Sequence, residues 1–478
     1  SVCLVIASPQ NPTYSEDVAA ILFENCAECH RPEQAAPFSL LTYADAKRRA
    51  RMIVDTTQDR YMPPWHPTEG FGEFRGERRL TESQIDLLEK WVEAGTPQGD
   101  PAKAPKAPTF ESGWRLGEPD LVLKMDRPFE VHASGSDIYR WFSLPVNLPK
   151  DKWIRGIEVR PSAHSVVHHI LFFADERRLG AERESKRGQP GFQGGIRSRK
   201  GLGGWAVGSS PYLYPDGYAM KLPKGSDLVL QTHFHPSGKI EHEQTTIGIH
   251  FAESPPEQEL LEFQAPPNFG ARYGLRIGAG EANYVMEDHL VLSEDTTLIS
   301  AWGHAHQICT SMDAKATLPD GSKVPLIRIA EWDFNWQGQY LYKEPVRLPK
   351  GTRIDVRITY DNSAENPNNP YDPPRVVRWG EESNDEMGSI IFNGIATDPK
   401  RANALASGIR LEGLKSGKRS RDRMVVNMAM RLDRNGDNRL SLQEVPARKR
   451  ASFPQADTDK DGLLSPAELQ AVARFLEE

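Results

Sequence analysis

Asp227-Leu228-Val229-Leu230-Gln231-Thr232-His233-Phe234-His235 reads as a β-strand whose side chains alternate between two faces. Val229, Gln231, His233 and His235 share one face; Leu228, Leu230, Thr232 and Phe234 share the other. Similar runs recur at Thr297 to Gln307, Thr352 to Tyr360 and Ser389 to Ala396, separated by Pro, Gly and Asp. Short alternating runs between turn residues predict β-sandwiches, and the span from about 111 to 400 leaves room for two.

Six of the 13 histidines fall in three short stretches of this region: His168-His169, His233-Phe234-His235 and His304-Ala305-His306. Strand rise puts His304 and His306 about 6.6 Å apart on one face, where both rings can converge on one ion. His233 and His235 have the same spacing. His168 and His169 are adjacent, so they reach one ion only at a bulge or strand end. Water-facing polar residues would explain any single cluster. Three clusters, followed by Met387 in Asp385-Glu386-Met387, predict metal binding. Imidazole suits several transition metals, whereas a thioether selects Cu(I), so the expected ion is redox-cycling copper. Cys309 and Met312, shortly after His306, permit a blue-copper alternative, but no histidine follows Cys309 closely.

A chain of 478 residues exceeds one ordinary core, and Gly 38 with Pro 37 fits a turn-rich, mainly β protein. A net charge of -7 argues against nucleic-acid binding. No stretch approaches the ~20 apolar residues of a membrane span. Of four cysteines, Cys26 and Cys29 lie in Cys26-Ala27-Glu28-Cys29-His30, the c-type haem attachment pattern. His30 is then the proximal iron ligand. Met62, in Tyr61-Met62-Pro63-Pro64-Trp65, is the expected distal ligand, with Met52 and His66 as competitors; the helical setting of Met52 suggests core packing. Around the motif, Ser15 is the expected cap of a first helix, a second runs from about Ala44 to Asp55, and Thr81-Glu82-Ser83-Gln84 is a capping box opening a third. This segment resembles bacterial cytochrome c domains that carry a Met-Pro-Pro-Trp motif. Haem attachment and the signal-like start Ser1 to Ala7 point to a bacterial periplasmic or secreted location.

The copper residues resemble the copper type II monooxygenases, the family of peptidylglycine α-hydroxylating monooxygenase and dopamine β-monooxygenase. The resemblance covers roughly 120 to 400. It rests on Val167-His168-His169-Ile170-Leu171, Leu228 to Phe234, His304-Ala305-His306 and Asp385-Glu386-Met387. It implies two jelly-roll-like β-sandwich domains, each with one copper, facing across a solvent-filled cleft. His168, His169 and His233 would hold the electron-transfer copper. His304, His306 and Met387 would hold the catalytic copper, where one atom of O2 enters a C–H bond of a small organic substrate. Electrons would come through the fused haem, supplied by a redox protein or an ascorbate-like reductant. The peptide-processing members carry an arginine and a tyrosine for the substrate carboxylate where this chain has Trp302 and Ile391, so a C-terminal glycine is not the expected substrate. A non-catalytic electron-transfer or copper-binding protein, or a copper reductase fed by the cytochrome, are the alternatives.

Asp433, Asn435, Asp437, Arg439 (through its carbonyl) and Glu444 match an EF-hand calcium loop, and Asp457, Asp459, Asp461, Leu463 (carbonyl) and Glu468 repeat it. Gly462 occupies the sharp turn of the second loop and Asn438 that of the first. The expected cofactors are thus covalent haem c, two copper ions and calcium. The expected layout is multidomain and mainly β: a signal remnant at 1–10, a helical cytochrome c domain at 11–100, a linker at 101–112, β-sandwiches at 113–262 and 263–400, a linker at 401–420, and a helical EF-hand pair at 421–478.

Overall fold

The computed structural model describes residues 11–475 except 33, 35, 111–112, 187, 197–199 and 208, so the expected signal remnant lies outside the described residues. The chain divides into a helical unit (through 65, 76–119 and 161–165) and a larger β unit (66–75, 120–160 and from 166 onward).

In the helical unit, helices Ala19–Asn25, Tyr43–Gln58 and Glu82–Glu93 enclose a core that includes Leu22, Val54, Leu88 and Trp91. The capping box at Thr81 and Gln84 forms as the sequence predicts. Two local expectations need correction. Thr13, not Ser15, caps the first helical segment, because its hydroxyl accepts the Glu16 N–H while Ser15 is buried inside the opening turn. Met52 is 45% exposed rather than in the core: the buried stripe of its helix is Ala46, Ala50, Ile53, Val54 and Thr57, and position 52 falls off it.

Among the described residues, the β unit contains four antiparallel four-stranded sheets, two built from residues 121–251 and two from 261–396. In the first half, Val167–Asp175 and Asp227–Phe234 are the inner strands of one sheet. In the second half, Thr296–Ala305 and Gly388–Ala396 are inner strands. All eight residues of Asp227–Phe234 and all ten of Thr296–Ala305 are buried. Alternation in sequence therefore does not mark one wet face here; both faces are covered, and the polar alternates are buried with the rest.

The stretch expected as a second linker is a helix, Ala402–Arg419. Its Lys, Arg, Gly and Ser suggest solvent, but Glu412 accepts the Val291 N–H, and Arg419 pairs with Asp288 at 2.8 Å. Residues 66–75 form a strap on the second half of the β unit. Thr68 N–H donates to Arg328 O, Arg75 N–H to Leu341 O, and Phe74 stacks on Tyr342 at 4.9 Å. No helix among the described residues is long and apolar enough to cross a membrane.

Candidate metal centre

His168, His169 and His233 come together at one end of the first-half sheet. Strand pairing slips between Val167 and His169, and this bulge turns two adjacent side chains toward the same place. The His169 Nδ1 lies 3.1 Å from His168 Nδ1 and 3.4 Å from His233 Nδ1. Nitrogens bound about 2.0–2.1 Å from a shared ion sit roughly 3.3–3.5 Å apart, so this spacing suits three ligands of one metal. Asp137 orients the set: its Oδ2 lies 2.7 Å from His233 Nε2, which places the ring proton there and leaves Nδ1 as the lone pair. Tyr139 stacks flat on His233 at 4.4 Å. His168 Nε2 is buried without a partner.

His235 lies just beyond the strand, and its Nδ1 is 2.8 Å from the other oxygen of Asp137. It supports the ligand set from outside instead of joining it. Burial penalises the carboxylate of Asp137, but hydrogen bonds from His233, Ser383 and His235 outweigh this and hold its pKa well below the ordinary range.

His304 and His306 project from the end of Thr296–Ala305 beside the segment leading into Gly388–Ala396. The ladder pairs His304 with Ser389 and Ala305 with Gly388, which brings Met387 to the level of His306. His304, His306 and Met387 line one cavity of about 300 Å³, together with His169, Phe269 and Trp379. The His304 Nδ1 is 2.6 Å from Gln337 Oε1, and His306 Nδ1 is 3.2 Å from Asp385 O. Both acceptors draw the ring proton to Nδ1 and leave Nε2 as the ligating atom. Burial pushes the His168 pKa down to about 3 and that of His304 to about 4, with His169 and His306 also well below their usual value. Neutral rings can bind a metal without first losing a proton.

The two ligand sets are neighbours. The His169 and His304 rings are 5.8 Å apart, and Phe334 stacks on His168 at 4.6 Å while lying 5.9 Å from His306. The cavity is lined by His169 from one set and by His304, His306 and Met387 from the other, and Phe334 lies beside it against His168 and His306. Trp302 and Ile391 are directly paired across adjacent strands and buried, so no charge stands at either position.

Several contributors escaped the sequence reading. Glu386 is fully buried and accepts N–H bonds from His306 (2.5 Å), Met387 (2.8 Å) and Ile308 (3.3 Å), tying the two ligand-bearing segments together. Burial pushes its pKa up to about 8 despite those donors. Trp332 donates its indole N–H to His306 O at 3.1 Å. Asp137, Gln337 and Trp332 had no local signal; Glu386 lies inside the Asp385-Glu386-Met387 motif, where only its place directly before the strand Gly388–Ala396 could have marked it. Cys309 is buried with its Sγ 3.8 Å from Ser311 O.

In the helical unit, His30 N–H and Cys29 N–H both donate to Cys26 O, and His30 Nδ1 is 3.1 Å from Phe38 O. That bond leaves His30 Nε2 for a metal, as a proximal haem ligand needs. Met62 is half-buried, its N–H on Thr56 O at 2.9 Å. His66, the other residue weighed as a distal ligand, falls in the strap of the β unit, its ring 6.1 Å from that of Trp332.

In the tail, Asp457, Asp459 and Glu468 offer oxygens within 4.8 Å of one another. Asp457 Oδ1 is buried without a partner, as an oxygen reserved for a cation would be. Glu468 receives Thr458 and Ser465 N–H groups, just as Glu444 receives those of Arg434 and Ser441. Residues 450–473 match the EF-hand family model. This segment is an EF hand. Its composition and loop geometry fit calcium.

No curated protein matches the chain in sequence. Among solved structures, the infectious bursal disease virus VP2 subviral particle is similar at 10% identity and a TM-score of 0.16, covering 58% of this chain and 72% of its own. PNGF-II reaches 10% identity and a TM-score of 0.22, covering 57% and 65%. A Paenibacillus xanthan lyase reaches 11% and 0.16, covering 62% and 28%. Similarity at these scores indicates neither a shared fold nor a shared function.

Proposed function

We propose that the β unit is a copper-dependent monooxygenase that inserts one atom of O2 into a C–H bond of a small, weakly charged organic substrate. The helical unit, as a haem c carrier, would supply electrons from a redox protein or an ascorbate-like reductant, outside the bacterial cytoplasm. The observation that carries this reading is the pairing of a three-imidazole set with a second set of two imidazoles and one thioether. Copper bound by such a set would supply one-electron redox chemistry and O2 activation.

The chain's own residues divide the remaining work. His168, His169 and His233 present Nδ1 atoms, with Asp137 fixing the His233 tautomer. His304 and His306 have Nε2 free, and Met387 supplies the only sulfur lining the cavity among the described residues. Leu171, Phe173, Phe269 and Trp379 give that cavity an apolar wall for the body of an organic substrate, while Gln231, Asn268 and Glu381 supply polar groups on its lining. Glu386 holds the His306 and Met387 backbones in register.

Substrate-dependent O2 uptake with a hydroxylated product tests the reading. Met387→Ala should abolish turnover while copper at the three-histidine set is retained. Turnover without O2 would favour a reductase, and redox cycling with no product an electron carrier.

A further inference from the structure

The EF-hand tail packs on the β unit beside the segment that carries Met387. Arg276 pairs with Asp433, the first ligand of the first calcium loop, at 3.4 Å with both side chains buried. Arg378 reaches Met430 O at 3.5 Å, and Asn427 donates to Gly274 O at 2.6 Å. The Arg423 guanidinium lies 3.8 Å over the Tyr273 ring. Gly274 has φ +78°, and a Cβ there would come within 3.1 Å of Asn427, so the tail backbone approaches closely.

The docked surface is a two-stranded ribbon, Arg276–Ile277 with Val377–Arg378. From this ribbon two short routes lead to the cavity. The Arg378 carbonyl accepts the Glu386 N–H at 3.0 Å, next to Met387. Trp379, on the cavity wall, donates to Phe269 O at 3.0 Å, and the Phe269 ring is 5.0 Å from His304. Asn268 and Phe269 have φ of +53° and +52°, a left-handed conformation that bulky residues adopt only when surroundings impose it.

We propose that calcium in the first loop braces this ribbon, making Arg276 and Arg378 positioning residues for the Met387 segment. The loop repeats the ligand spacing of the EF hand at 450–473, and strands Leu440–Ser441 and Leu463–Leu464 pair between the two loops. A bound cation gathers Asp433, Asp437 and Glu444 and sets the shape of the loop, which holds Asp433 against Arg276 and Asn438 against Gly278. Without it, mutual repulsion of those carboxylates loosens the docked face, and the ribbon loses its outer support. The brace operates whether or not the cavity holds copper, so it stands or falls separately from the monooxygenase reading.

Hydrogen exchange on the copper-free full chain tests it, with calcium or with a calcium chelator. Calcium removal should speed exchange at 273–277, 377–380 and 386–388 by about tenfold or more, leaving 227–234 unchanged. Glu444→Gln should reproduce this in calcium. Arg276→Gln should make exchange at 377–388 insensitive to calcium even though the cation still binds, a readout that survives if Glu444→Gln fails to fold. Unchanged exchange in those three segments on calcium removal, whatever the tail itself does, would overturn the proposal.

Discussion

At the scale of single residues, the candidate centre depends on second-layer partners that decide which ring nitrogen is free. Asp137 is the clearest case, because its oxygens engage both His233 and His235. Asp137→Ala should weaken copper at the three-histidine set by roughly 10–100-fold, measured by competition with a chelator, and leave the 304/306 set nearly unchanged. Titration behaviour follows from burial. The His168 and His304 pKa values lie at about 3 and about 4 in the folded chain. Between pH ~6.5 and ~4 the unfolded metal-free chain therefore takes up protons that the folded chain refuses. The contribution of these rings to thermal stability should fall as pH drops through that window and stay constant above it. There the raised carboxyl of Glu386 instead costs stability as pH climbs toward 8. His168→Phe should reduce the slope; an unchanged slope would mean that these rings titrate normally.

At the scale of elements, the bulge at His168 and the strap at 66–75 are the departures that matter. Period-2 reasoning shows that adjacent histidines need a bulge, and the pairing supplies one between Val167 and His169. The strap rests on a close approach: Gly72 has φ +86°, and a Cβ there would lie 2.4 Å from Leu326 O. Gly72→Ala should release the strap, read as faster proteolytic cleavage within 66–75 while strands elsewhere keep their protection. Helix Ala402–Arg419 illustrates the opposite error, since polar composition hid a helix whose Glu412 and Ser416 are buried against a strand.

At the scale of the whole molecule, contact between the two ligand sets distinguishes this chain from two independent centres. With rings 5.8 Å apart, two Cu(II) ions held by these sets should interact magnetically. The fully loaded, oxidised chain should bind two coppers and show dipolar broadening by EPR. That broadening should vanish in His168→Ala or His304→Ala, each of which leaves one ion. Two sharp, independent signals from the wild-type chain would place the ions farther apart than these rings suggest.

What the sequence determined alone is local. The Cys26-to-His30 spacing, each acidic loop, each run of β alternation and each pair of neighbouring histidines lie within a dozen residues, where backbone geometry relates position to direction. The tertiary structure decided everything that joins distant segments. Asp137 meets His233 across 96 positions, and Ser383 meets Asp137 across 246. Likewise, only packing of the two halves of the β unit sets His169 against His304 and puts Phe334 between the ligand sets. Chain spacing constrains neighbours through bond geometry, whereas contacts between remote strands depend on how whole sheets bury their faces.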